Sequence, residues 1–208
     1  INALKILERS LIPGISAVSS VVLNEDSINK FVFPFPILGK NNLPILFSFK
    51  RKIKELNELK SVSNGGSYPF AHFFNGALIP CTSIDKIGKI DDRYFIAGEE
   101  VDYFNRLSKI GEVRTILSAF HYHPDVSQRT WSKLKFYYFI KNTIIINHKI
   151  YKTPFFRDIS VIIIALVRIF RRNGIRVFFL YVAGKNANIF YRAISRGYKR
   201  KIGKDFDG

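Results

Sequence analysis

The spacing of hydrophobic residues predicts a helix followed by a strand at the start of the chain. Leucines recur at helical spacing over residues 4–11 until Pro13 and Gly14 end the pattern. Residues 15–23 are mostly small or β-branched, and the turn-forming residues 24–27 come directly after them. This order is typical of a buried strand that ends at an edge loop.

The segments that follow have mixed patterns. Residues 31–47 contain three prolines and many aromatic side chains, which favours an irregular, packed excursion. Residues 50–60 form a charged stretch of helical character, and residues 61–69 hold two glycines, which is typical of a loop. Residues 73–79 are apolar and predict a strand.

Three more elements are predicted before residue 125. Residues 82–87 form a short helix that Gly88 ends. A second helix follows the acidic segment 98–102, has one apolar face and ends at Gly111. Residues 113–119 then form a strand that leads to two histidines.

The pattern beyond residue 130 is helical and basic, with a break at Pro154. Its apolar stretch 159–167 is too short to span a bilayer, which takes about 20 apolar residues, so an interfacial or buried helix fits better. The fold class predicted from all these patterns is mixed α/β. We expect a first domain over residues 1–128 and a basic, aromatic-rich helical region over residues 129–208.

The composition fits a packed protein in a reducing compartment. Of the 208 residues, 47% are hydrophobic and 15% aromatic, which excludes wholesale disorder. The single cysteine, Cys81, has no partner for an internal disulfide or a zinc framework, and we expect it to be buried and inert. No leader pattern opens the chain, so secretion is not indicated.

The positive charge is concentrated in the C-terminal part. Residues 1–125 have 15 Lys/Arg and 13 Asp/Glu, a net charge of +2, whereas residues 126–208 have 18 and 3, a net charge of +15. Such a segment binds nucleic acid or an anionic membrane surface, and its apolar helix favours the membrane. A helix packed on the domain with a solvated basic face is the alternative.

Two groups of side chains are candidates for chemistry. Glu99, Glu100 and Asp102 raise one another's proton affinity at a helix start that stabilises anions, so a base can be tuned there. A solvated acidic first turn is the alternative. His121 and His123 point the same way on a strand and either bind a divalent metal or form a structural pair.

Several short motifs occur in an order and at a spacing found in one enzyme family. They comprise residues 74–79, 87–88, 94–100, 102–103, 106, 111, 123 and 137–142. Residues 73–142 thereby resemble the bacterial family-2 glycosyltransferases of the rhamnosyl- and galactofuranosyltransferase type, which build surface polysaccharides. Residues 15–26 and 189–203 resemble the same family more weakly.

The resemblance assigns roles to the acidic and histidine residues. Glu100 matches the second residue of the family's acidic pair, which acts as general base on the acceptor hydroxyl, and Glu99 matches the first. Asp102 is the next carboxylate to test as the base. His123 is similar in position to the family's metal-binding histidine, with His121 as its competitor.

The same resemblance implies substrate-binding residues. Asn75 and Gly76 match the wall near the donor sugar and the acceptor, where glycine permits close approach of backbone to ligand. Tyr137, Tyr138 and Asn142 match a helix motif, Tyr-Tyr-x-x-Arg-Asn, in which Lys141 of this chain replaces the arginine. Lysine has the positive charge of arginine but lacks the planar guanidinium group that makes bidentate contacts.

A GT-A-type fold is implied, with this chain holding its second half. The reaction is then inverting transfer from a nucleotide-sugar donor to a glycan or lipid-linked acceptor, assisted by Mn²⁺ or Mg²⁺. The nucleotide-binding half and its Asp-x-Asp metal motif are expected before residue 1, so the isolated chain is expected to be inactive. The alternative is a non-catalytic remnant or scaffold that binds membrane or glycan.

Partners and location follow from the resemblance together with the composition of the basic C-terminal segment. We expect a cytoplasmic protein, peripheral at the inner face of the cell membrane, that binds an anionic lipid surface. Nucleic-acid binding rests on charge alone and is not expected. The apolar C-terminal helix could also pair two copies of the chain in a homo-oligomer.

Overall fold

The computed structural model describes residues 2–39, 44–45, 50, 52–73, 75–126 and 128–208. The chain divides into two compact units. Unit 1 comprises residues 1–89 and 103–127, and unit 2 comprises residues 90–102 and 128–208. The expected boundary between residues 128 and 129 stays a prediction.

Unit 1 is built around a mixed sheet. Its elements, in chain order, are α1 (Ala3–Arg9), β1 (Ile15–Asn24), β2 (Ser27–Pro36), β3 (Lys52–Glu55), α2 (Leu56–Val62), β4 (Ser67–Tyr68), β5 (Ala77–Leu78), α3 (Cys81–Ile87), α4 (Glu99–Leu107) and β6 (Glu112–His123). Helix α4 begins in unit 2 and ends in unit 1. The strand order is β3-β2-β1-β6-β4, and β5 pairs with β1. Strands β1 and β6 are parallel and the other pairs are antiparallel.

The predicted buried strand is confirmed as β1, the centre of the sheet. Its residues from Ser16 to Leu23 are all buried, as a strand with neighbours on both edges requires. The polar Ser19 is tolerated there because its hydroxyl forms a 2.8 Å hydrogen bond with the hydroxyl of Thr115 on β6. The predicted helix before β1 and the strand after Gly111 are confirmed as α1 and β6.

The prediction of an irregular excursion over residues 31–47 is wrong for residues 31–36. These residues continue β2, because Phe31, Val32 and Phe35 are buried and Phe35 pairs with Ile53. The prolines did not prevent the strand, since the β2–β3 register shifts between Lys30 and Phe35. Residues 40–43 and 46–49 lie outside the described residues.

Three further predictions need correction. The helix expected over residues 50–60 begins only at Leu56, because Ile53 is buried as part of strand β3. The strand expected over residues 73–79 is limited to Ala77–Leu78, and Phe74 lies outside the described residues. Cys81 is exposed, not buried, and it is the first residue of α3.

Unit 2 is helical beyond residue 130, as predicted. Its helices are α5 (Lys133–Ile150), α6 (Phe155–Asn173), α7 (Ile175–Val182) and α8 (Ala187–Tyr198). Helix α5 is central, with its aromatic and isoleucine side chains packed against residues of the other three helices. Within the described residues, none of the helices has the length and apolar character needed to cross a membrane. Because unit 1 contains a mixed sheet and unit 2 is helical, the structure is of mixed α/β class, as expected.

Candidate functional site

The acidic segment forms the first turn of α4, as the sequence predicts. Glu99, Glu100 and Asp102 all lie in this turn, and Gly98 precedes it with a φ of 105°. A helix N-terminus stabilises negative charge, which lets three carboxylates gather there. The conformation of Gly98 is one that residues with a side chain rarely adopt.

Helix α5 holds the backbone that leads into this turn. The side-chain amide of Asn142, which is fully buried, donates hydrogen bonds to the carbonyls of Phe95 (3.1 Å) and Ala97 (2.7 Å). A Cβ atom on Gly98 would lie 2.7 Å from Cδ1 of Ile146 and 3.2 Å from Cβ of Asn142. Glycine is therefore required at position 98 both by φ and by the close approach of α5.

Asp102 is part of an ion pair with the same helix. Its carboxylate is buried and lies 2.5 Å from Nζ of Lys149, a residue whose role the sequence did not indicate. Lys149 is itself almost half exposed, so the pair extends from the buried carboxylate to solvent. Asp102 thus links the first turn of α4 to α5, and the catalytic role considered for it stays a prediction.

Glu99 has the features of a tuned carboxyl group. Its Oε2 atom is buried and accepts no hydrogen bond from any residue that the structure describes. Desolvation, reinforced by the negative charge of Glu100, raises the pKa of Glu99 above its ordinary value. Carboxyl groups of this kind are common among general bases and acids. The first residue of the acidic pair is therefore a second candidate for the base.

In unit 1, Asn75 and Gly76 form a turn against β1. Gly76 has a φ of 82°, and a Cβ atom there would lie 2.5 Å from Oγ of Ser20 and 3.7 Å from Cβ of His121. The hydroxyl of Ser20 donates to the carbonyls of Asn75 (3.3 Å) and Gly76 (3.2 Å). The predicted residues Asn75, Gly76 and His121 thus lie close together, and Ser20 positions the turn.

The two histidines lie near the C-terminal end of β6, and His123 pairs with Asn24, the last residue of β1. Their ring centroids are 6.4 Å apart. Nδ1 of His123 lies 2.7 Å from the carbonyl oxygen of Pro124, so this nitrogen carries the proton and Nε2 is the atom suited to a metal. Among the described residues, no three His, Cys, Asp or Glu side chains come together as metal ligands. Metal binding stays a prediction.

The tyrosines of the predicted substrate motif bind the C-terminal segment in this structure. The Tyr137 hydroxyl donates to Oδ2 of Asp205 (3.0 Å), and the Tyr138 hydroxyl donates to the carbonyl of Phe206 (2.9 Å). Lys141, fully buried, donates to Oδ1 of Asp205 (2.7 Å). The motif therefore anchors residues 203–206 on α5, and a direct role in substrate binding stays a prediction.

One curated protein is similar to part of the chain. It is the galactofuranosyltransferase GlfT1 of Mycolicibacterium smegmatis, with 33% identity over 113 residues, which is 53% of this chain and 35% of that protein. The chain thus spans about a third of the length of this relative. No family model and no solved structure matches the chain. The similarity supports a distant relationship to a glycosyltransferase.

Proposed function

We propose that the chain is part of an inverting glycosyltransferase of the rhamnosyl- or galactofuranosyltransferase type, with a GT-A-type fold. It would move a sugar from a nucleoside-diphosphate donor to a hydroxyl of a surface polysaccharide or lipid-linked acceptor. The observation that carries the proposal is the similarity to a galactofuranosyltransferase over 113 residues. The acidic first turn of α4, fixed by Asn142, Gly98 and Lys149, supports it.

The proposed chemistry needs one carboxylate. Glu100 accepts the proton of the acceptor hydroxyl while that oxygen bonds to the anomeric carbon from the side opposite the leaving group. The bond from the anomeric carbon to the diphosphate oxygen breaks, and its electron pair leaves with the nucleoside diphosphate. Glu99, whose pKa is raised and whose Oε2 is without a donor among the described residues, is the rival base.

A divalent Mn²⁺ or Mg²⁺ belongs to this proposal, since it would neutralise charge on the departing diphosphate. The described residues do not form a metal site by themselves, because their histidines and carboxylates form no cluster of three. His123, through Nε2, is the side chain proposed to contribute one ligand.

The transfer reaction is tested with the full-length protein that contains this chain. Purified protein is given nucleotide-activated galactofuranose or nucleotide-activated rhamnose, with and without a lipid-linked saccharide acceptor. We expect release of nucleoside diphosphate that depends on the acceptor, and NMR should show inverted configuration in the product. Retained configuration would contradict the mechanism. Glycan or vesicle binding without release from either donor would favour the non-catalytic alternative.

We also propose that unit 2 binds an anionic bilayer, at the inner face of the cell membrane. Four side chains, Ile159, Ile163, Val167 and Phe170, are exposed and recur at helical spacing along α6. Arg171 and Arg176 are exposed beside the end of this apolar stripe, within a segment of net charge +15. An apolar stripe with flanking arginines complements both the acyl chains and the charge of such a membrane.

Flotation with vesicles tests this surface. We expect the chain to float with phosphatidylglycerol-containing vesicles at low salt, and the Ile163→Glu/Val167→Glu variant to remain at the bottom of the gradient. Ile28→Glu changes an isoleucine of unit 1 that is 72% exposed and serves as the control, which should float normally. Flotation that is equal for all three proteins would contradict the proposal. So would a dimer that the double substitution dissociates, since the stripe would then pair two copies.

A further inference from the structure

Four cationic side chains lie near one another where α5 begins and α6 ends, and two of them approach the ring of Trp131. The guanidinium of Arg168 lies 5.3 Å from the centroid of the Trp131 ring, and Nζ of Lys135 lies 5.8 Å from it. Nη1 of Arg172 donates a 3.4 Å hydrogen bond to the carbonyl of Arg129. Arg129, Trp131, Lys135, Arg168 and Arg172 are called the Trp131 cluster below.

No described carboxylate pairs with the cations of this cluster. Residues 128–208 contain three acidic side chains, and each is engaged elsewhere. Asp158 bonds to Asn147 and His148, Asp205 bonds to Tyr137 and Lys141, and Asp207 bonds to Lys204. The positive charge of the Trp131 cluster is therefore not compensated by acidic side chains of the described helical region.

The positive charges of the cluster lower the pKa values of their neighbours. Desolvation, followed by the charges of Arg172, Arg168 and Arg129, lowers the pKa of Lys135. Burial, followed by the charge of Arg172, lowers the pKa of Arg168 to about 10. Arg168 therefore remains a cation at neutral pH, and its charge is held against aromatic rings, away from full hydration. Gathering such charges costs free energy that a bound anion would offset.

The cluster also offers donors in fixed positions. Trp131 is only 4% exposed, and its Nε1 is buried without an acceptor among the described residues. Its backbone is held by Asn173, whose side chain accepts from the N–H (3.0 Å) and donates to the carbonyl (3.0 Å). The first turn of α5 follows immediately and has no acidic residue, so its partial positive charge adds to the cluster. The Trp131 ring therefore carries a buried N–H without an acceptor and is approached by two cations, an arrangement that suits an anionic ligand.

We propose that the Trp131 cluster is a binding site for a phosphate or diphosphate group. The forks of Arg168 and Arg172 suit the bidentate geometry of phosphate oxygens, and Lys135 supplies a further point charge. A group with two or more negative charges fits four cations better than a single carboxylate does. The group belongs either to a small phosphorylated molecule or to a lipid headgroup.

Calorimetry with inorganic pyrophosphate tests the site, at an ionic strength held constant with sodium chloride. We expect the chain to bind pyrophosphate and the Lys135→Gln/Arg168→Gln variant to bind it at least tenfold more weakly. Lys135→Gln/Arg172→Gln should show the same loss and does not remove the guanidinium that packs on Trp131. Lys185→Gln/Lys199→Gln removes the same charge from exposed positions of unit 2 and should bind as the unmodified chain does.

Vesicles distinguish the two sources of the phosphate group. Two sets of phosphatidylcholine vesicles of equal surface charge are compared. One set contains phosphatidic acid, which is a phosphomonoester, and the other contains phosphatidylglycerol, which is a phosphodiester. Pyrophosphate binding that the cluster variants lose assigns the site to a small phosphorylated molecule. A preference for phosphatidic acid that they lose assigns it to a lipid headgroup. The proposal is overturned if neither ligand binds, or if the Lys185/Lys199 variant loses as much affinity as the cluster variants.

Discussion

Asn142 on α5 donates a 2.7 Å hydrogen bond to the carbonyl of Ala97, two residues before Glu99. Its amide also reaches the carbonyl of Phe95, so one side chain fixes both ends of the segment that leads into the acidic turn. The asparagine of the helix motif is therefore a residue that positions the acidic turn.

Asn142→Ala should loosen the acidic turn. The substitution leaves the Ala97 carbonyl without its side-chain donor, whereas the Phe95 carbonyl keeps the backbone N–H of Ala97. We expect the free energy of unfolding to fall by about 1–3 kcal/mol in urea denaturation. In the full-length protein, kcat should fall while the KM for the donor changes little, because the acceptor-side base is displaced. Asn188→Ala, at an exposed position of α8, is the control and should change neither quantity. An unaltered kcat in a destabilised Asn142→Ala protein would refute the positioning role.

Gly98→Ala should be destabilising through a steric clash. The new Cβ atom would lie 2.7 Å from Cδ1 of Ile146, and overpacking of this kind costs about 1–3 kcal/mol. Gly174→Ala is a matched control, since Gly174 also has a positive φ, of 86°, but no atom lies within 4 Å of its added Cβ. Thermal unfolding should show the larger loss at position 98. Adding Ile146→Val should restore part of it, and no rescue would argue against the clash.

Glu99→Gln should stabilise the protein at neutral pH and not at acidic pH. Because the pKa of Glu99 is raised in the folded state, the folded chain binds more protons than the unfolded chain between the two pKa values. Stability therefore falls as the pH rises through this window. The melting temperature of the variant should exceed that of the parent at pH 7.5, and the two should converge near pH 4, around the ordinary glutamate pKa of about 4.3. Glu8→Gln, which removes a carboxylate from an exposed position of α1, is the control for the loss of one negative charge.

Asp205→Asn should destabilise unit 2 far more than Asp207→Asn. Asp205 is the charge partner of Lys141, which is fully buried, and an unpaired buried lysine costs on the order of 3 kcal/mol. Asp207 is 84% exposed in its pair with Lys204, so its loss should change the free energy of unfolding little. Denaturation of the two variants in parallel measures the difference. Equal effects would contradict the anchoring of the C-terminal segment.

Local patterns were sufficient for some elements and not for others. The run of small and β-branched residues predicts β1, and the acids after Gly98 predict the start of α4, because both signals lie within the element itself. Pro34 and Pro36 argued against a strand in the sequence, so the continuation of β2 was not predicted. The strand depends on pairing with the distant residue Ile53. The exposure of Cys81 likewise depends on how α3 packs, which composition does not specify.

The contacts of the candidate site could not be predicted from local patterns either, because they join residues that are far apart in sequence. Lys149 and Asp102 are 47 residues apart in sequence, and Tyr138 is 68 residues from Phe206. The resemblance to a helix motif identified Tyr138 and Asn142 as candidate functional residues. It did not indicate which groups these side chains bind. Their partners are backbone carbonyls and the C-terminal segment, which have no signature in composition or spacing.

The most direct test of the proposed function is the transfer rate of the full-length protein carrying Glu100→Gln. Loss of the base should lower kcat by about 10²- to 10⁴-fold, with donor binding by calorimetry unchanged. Glu99→Gln, measured in parallel, shows whether the neighbouring carboxyl is the base instead. We expect one of the two substitutions to abolish transfer in a folded, donor-binding protein. Full transfer activity in both variants would contradict the assignment of the base to the acidic turn.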